Sequence, residues 1–227
     1  MNANLRQQHA RAALDSLHPV HCGEFPEPLL HHARNSDVGR RHLARIALRN
    51  APSVFAPNQE RWQRWQDEEP WLQWTQPRLH AFTQELGVMA FGPALRMIVE
   101  RSAVLFVRNA LGLENWRRVQ NADPWQGSAP EAVRHMGEAV LRRCDSDAQA
   151  LAAEIFERGK VEFIGHAERR HESLAARLAL AYAVAPTRLC SADCWLPAAA
   201  VPQLVAAHAI LGAGLSTEMI PAEGQLE

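Results

Sequence analysis

The stretch that most constrains this chain is residues 86–125, LGVMAFGPALRMIVERSAVLFVRNALGLENWRRVQNADPW. Its centre, 93–111, reads as one helix with apolar residues on more than one face. One stripe is Leu95, Ile98, Val99, Ser102, Ala103, Phe106 and Ala110; a second is Met97, Val104 and Leu111. A helix that is apolar on two sides is contacted from two sides and sits in the middle of a fold. The expectation is a central buried helix over about 93–111, stopped by Gly112, with other helices packed around it.

The rest of the pattern is also helical. Apolar spacing of three and four residues runs through 5–17, 37–49, 77–91, 133–144, 151–156, 171–183 and 201–211. Thr75 is placed to cap the 77–91 helix. Ser128 to Glu131 and Ser146 to Gln149 read as capping boxes. Gly159 reads as a stop. The run KVEFI at 160–164 is the only strand-like one, and a helical kink or turn is favoured there. The class is all-α: a compact multi-helix domain around the 93–111 helix, with few or no strands. It divides into a basic, partly helical N-terminal portion (1–57), a helical body (58–211) and a flexible acidic tail (212–227). Residues 1–50 hold seven Arg and six His against four acids.

Overall charge excludes some partners. The net charge is −1, which gives no global attraction to nucleic acid or an anionic membrane. The helix 113–121 carries Arg117 and Arg118 but is short for a nucleic-acid reader. Arg96, Glu100, Arg101 and Arg108 interrupt the best apolar run, so no transmembrane segment is expected. The N-terminus lacks the apolar core of a signal peptide, and the expected location is cytoplasmic.

Catalytic signals are missing. Neither a glycine-rich phosphate loop nor a nucleophile elbow occurs, and no catalytic, cofactor-binding or metal-binding residue is assigned. His18, His21 and Cys22 together with Cys190 and Cys194 would make a zinc site if the two segments met; buried thiols and surface histidines are the alternative. Glu168 and His171 have di-iron spacing in a single copy, where two are needed.

The connector 58–74 holds Trp62, Trp65, Trp71 and Trp74, four of the chain's seven tryptophans, in a charged, Gln-rich context. Tryptophan serves both cores and interface hot spots. That context favours partial exposure, so these four, with Arg117 and Arg118, are the interface candidates. Core packing or plain solvation is the alternative for each.

Several residues carry a family resemblance. Leu86-Gly87, Gly92, and Leu95-Arg96 followed by an apolar helix resemble the SctK (YscK/PscK-like) proteins of type III secretion. So do the helical region ending in Asp123-Pro124-Trp125 and the stretch LAARLALAY at 174–182. The likeness covers roughly residues 60–210. It implies a non-enzymatic cytosolic adaptor without a cofactor. Such a protein links the cytoplasmic domain of the inner-membrane ring protein to the pod, C-ring-like protein of the injectisome. It lies at the inner face of the membrane through protein partners, with no nucleic acid and no direct membrane insertion. The alternatives are a small helical metal-binding protein or enzyme using the His/Cys segments, and a chaperone or regulator of another secretion component.

Overall fold

A computed structural model describes residues 3–55, 59–144, 147–183 and 193–215. Among the described residues there are twelve α-helices and no strand, as expected for an all-α chain. They are α1 (Ala3–Ala13), α2 (Glu27–Asn35), α3 (Asp37–Asn50), α4 (Gln59–Glu68), α5 (Gln76–Ala90) and α6 (Gly92–Leu95). After these come α7 (Arg101–Leu111), α8 (Leu113–Asn121), α9 (Glu131–Arg143), α10 (Ala148–Arg170), α11 (Glu172–Ala179) and α12 (Ala200–Leu215).

The centre is the pair α5 and α10. Both carry buried residues around most of their circumference, α5 over its second half and α10 from Gly159 to Ala167. Two glycines let the backbones touch. A Cβ on Gly159 would lie 1.8 Å from the Thr83 carbonyl oxygen, and one on Gly87 would lie 1.9 Å from that of Ile155. Gly159 is therefore a crossing point inside α10 and not a stop. Residues 160–164 continue the same helix.

The expected central helix over 93–111 is a correction. It is two helices, and neither is the centre. α6 ends at Leu95, residues 96–100 are irregular, and α7 begins at Arg101. Within the break Met97 is 58% exposed and Val99 93%. The Arg96 backbone stays helical, and its side chain donates to the Val119 and Ala122 carbonyls at the end of α8, at 3.1 and 2.9 Å. The β-branched pair Ile98-Val99 then resists helix continuation. The two apolar stripes belong to two short helices, and α7 fully buries only Val107 and Leu111. Gly112, at φ +81°, does end α7.

The other boundaries follow local chemistry. Ser36 caps α3 by accepting from Gly39 N at 3.1 Å, and Asp147 caps α10 by accepting from Ala150 N at 2.9 Å. Thr75 occupies the cap position of α5 without a side-chain bond. Ser128 does not cap α9. The helix starts after Pro130, and Ser128 N instead donates to the Trp125 carbonyl at 2.9 Å in the preceding turn.

The N-terminal portion has its own core, in which Leu14, Leu17, Cys22, Leu43 and Phe55 meet. It is fastened to the body by directional bonds. His18 N donates to the Leu180 carbonyl at 2.8 Å, His21 Nε2 to the Tyr182 carbonyl at 2.9 Å, and Arg177 to Ser16 Oγ at 2.8 Å. His9 stacks on Trp62 at 4.4 Å. Most of the expected tail lies outside the described residues, and α12 runs to Leu215.

Candidate functional site

The four connector tryptophans are buried, not partly exposed. Trp62 stacks on His9, and Trp65 packs on His171 at 5.0 Å. Trp71 meets Phe163 edge-on at 5.4 Å and donates to Glu69 at 2.7 Å. Trp74 meets Phe82 at 5.2 Å, with Arg78 over its other side at 4.4 Å. The polar residues that pointed to exposure occupy the opposite side of α4. Trp62, Trp65 and Glu69 face inward, while Gln63, Arg64 and Asp67 face solvent. Arg118 pairs with Glu114 at 2.7 Å and with buried Glu85 at 3.2 Å. Arg117 is exposed and makes no ion pair among the described residues.

The His/Cys segments are occupied otherwise. Cys22 lies in the N-terminal core beside Arg34, and burial pushes its thiol up, away from the thiolate form. Cys194 packs on α10 at Gly165, with Arg169 at 3.4 Å, and burial raises it too. Cys190 lies outside the described residues. Among the described residues no three His, Cys, Asp or Glu are placed to hold a metal ion. His171 serves as the cap of α11, accepting from Ser173 N at 3.1 Å.

What sequence reasoning missed is an open groove of about 770 Å³ between α7 and α9. The break at 96–100 creates it. α9 packs tightly on α6, where a Cβ on Gly137 would lie 2.7 Å from that of Ala94. That sets α9 against α6, while beyond the break α7 packs on α8 and α10. Glu138, Leu141 and Arg142 of α9 then face Ser102, Ala103 and Phe106 of α7 across a gap. The floor is apolar: Ala94, Ile98, Ala103, Phe106, Val107 and Leu141. Glu100, Glu138 and Arg142 carry charge on its walls, and Met97 lies at its edge. On one wall Ser102 Oγ donates to Glu100 Oε1, and among the described residues no histidine, cysteine or lysine lines the groove. It can bury apolar side chains while offering carboxylates and one guanidinium as directional partners.

A smaller cavity, about 440 Å³, lies where the end of α4 meets α10 and α12. Its polar wall is Asp67, Glu68, Glu69, His166 and Arg170. Buried Glu69 accepts from Trp71 Nε1 at 2.7 Å and from Arg170 Nε at 2.9 Å. His166 Nε2 faces Glu69 Oε2 at 3.5 Å, longer than a well-formed hydrogen bond. Burial alone would raise the Glu69 carboxyl. His166, Trp71 and Arg170 together outweigh it and hold the group below its ordinary value. This cluster ties the end of α4 to α10.

The fold is all-α, and its most open feature described above is a groove with an apolar floor and charged walls. No helix among the described residues is long and apolar enough to cross a membrane. No family model, curated protein or solved structure matches the chain.

Proposed function

We propose that this chain is a non-enzymatic adaptor of a bacterial type III secretion system. In this reading it joins the cytoplasmic domain of the inner-membrane ring protein to the pod protein of the sorting platform, on the cytoplasmic face of the membrane. The observation that carries the reading is the groove between α7 and α9. It is built mainly from the segment 86–125, the same segment that resembles the SctK proteins.

An adaptor works by binding alone, and a groove of this shape suits an amphipathic helix. Apolar anchors at three- and four-residue spacing would rest on Ile98, Phe106 and Leu141. A basic residue would face Glu100 or Glu138, and an acidic one Arg142. Most of the affinity would come from two or three such anchors.

The test is co-purification of the full chain with the ring protein's cytoplasmic domain and with the pod protein. The parent chain is expected to retain both partners. Ala103→Glu sets a carboxylate in the apolar floor on an exposed helix. It is expected to weaken one of the two by about 30-fold, roughly 2 kcal/mol, with no loss of folding. Failure of the parent to retain either partner, with all components folded, overturns the proposal.

A further inference from the structure

α3 carries an unmatched positive stripe. Leu43, Ala44 and Ala47 are buried against α1 and α2, which turns the other side of α3 to solvent. Val38, Arg41, Arg45 and Arg49 occupy that side, all exposed, Val38 to 77%. At 3.6 residues per turn these four fall within a wedge of about 80°, and each four-residue step advances ~6 Å.

None of the three arginines has a side-chain partner among the described residues, and Asp37, four residues before Arg41, does not pair with it. Neighbouring Arg40 differs, bonding Asp15 at 3.1 Å and the Arg34 and Arg11 carbonyls. In the body, acids stand beside arginines: Arg96–Asp123, Arg118–Glu114, Arg143–Glu154 and Arg170–Glu68 lie at 2.7–3.2 Å. On α3 two like-charged pairs four residues apart are left to repel each other. The helix dipole accounts for Arg49, in the last turn, but not for Arg41 and Arg45 further in.

We infer that this face of α3 is a docking surface for an acidic helical segment of a partner protein. Carboxylates four residues apart on that segment match the ~6 Å step of the arginines and accept bidentate contacts from them. A small apolar side chain covers Val38. Three charges over two such steps are too sparse for duplex nucleic acid, which carries one charge per ~1.7 Å. The stripe also lacks the aromatic or long apolar residues that seat a helix in a lipid surface. The inference rests on the adaptor reading only in giving it a second surface, on different helices from the groove.

The test titrates the full chain into a labelled alanine-rich helical peptide with three glutamates four residues apart. The comparison peptide has glutamines in their place. The glutamate peptide is expected to bind about tenfold tighter at about 50 mM salt, with the difference shrinking by about 200 mM. The variant R41Q/R45Q/R49Q is expected to erase the difference and to melt no lower than the parent, because its helix loses repulsion and keeps its propensity. Four outcomes overturn the inference: equal binding of the two peptides, undiminished binding by the variant, a lower-melting variant, or tighter binding to duplex DNA or phosphatidylserine vesicles. The assay holds no secretion component, so its failure leaves the co-purification result standing.

Discussion

Gly87 and Gly159 set the distance between the two central helices. Both would-be Cβ atoms point at a carbonyl oxygen of the facing helix, under 2 Å away. Backbone cannot rotate aside as a side chain can, so an added methyl must push α5 and α10 apart. The flanking residues Leu86, Leu151, Ile155 and Phe163 are fully buried and would lose contact together. Gly159→Ala is expected to destabilise the protein by about 3 kcal/mol, read as a lower urea midpoint. Gly127 supplies the contrast. It has φ +84° and nothing within 4 Å of a would-be Cβ, so Gly127→Ala costs about 1 kcal/mol through strain alone. Equal midpoints for the two variants would mean that the crossing has slack. Sequence alone did not separate these uses of glycine. At the end of an apolar run Gly159 reads as a stop, and only the facing helix makes it a contact.

Some element ends set by neighbouring residues were legible, though not the start of α9; those set by distant residues were not. α3, α8 and the end of α7 at Gly112 follow from local pattern and turn chemistry. The α6–α7 break does not, because it depends on Arg96 reaching carbonyls more than twenty residues away. The groove inherits that difficulty: it exists only because the apparent single helix is two. The tryptophans failed for a different reason. Composition averages over both faces of α4, whereas burial is decided face by face. Caps give a direct check on local reasoning. Asp147→Ala removes a bond to Ala150 N at 2.9 Å and is expected to cost about 1 kcal/mol. Ser128→Ala, at the position whose spacing suggests a capping box, is expected to change stability by less than about 0.5 kcal/mol. Thermal unfolding of the pair decides the matter, since a large loss in the serine variant would restore Ser128 as the cap.

At the scale of the whole molecule, buried carboxylates connect elements that share no long packing seam. Glu85 joins α5 to His208 of α12 at 2.8 Å and to Arg118 of α8 at 3.2 Å. Glu162 on α10 accepts from Trp195 N at 2.7 Å and Leu196 N at 3.1 Å, holding the approach to α12. Glu69 joins the end of α4 to Arg170 of α10. Glu69 and Glu162 respond to pH in opposite directions. Glu69 is held below its ordinary value, so the folded chain binds its proton less readily than the unfolded chain. Its stabilising contribution is present above the unfolded value and is lost as pH falls through the folded one. Burial pushes Glu162 up against the lowering effect of its two backbone donors, so the folded chain holds that proton more readily. Its contribution declines as pH rises from the unfolded value to the raised one. Comparing the parent with Glu69→Gln and Glu162→Gln in urea, from about pH 7 down to about pH 3, separates the two. The gap between the parent and Glu69→Gln should be widest near neutrality and close as the acid limit is approached. The gap for Glu162→Gln should shift the other way, in favour of the parent as pH falls. A Glu69→Gln gap that stays constant across the range would show that the three partners of Glu69 hold a neutral carboxyl as well as a charged one. The junction between α4 and α10 would then be insensitive to acid.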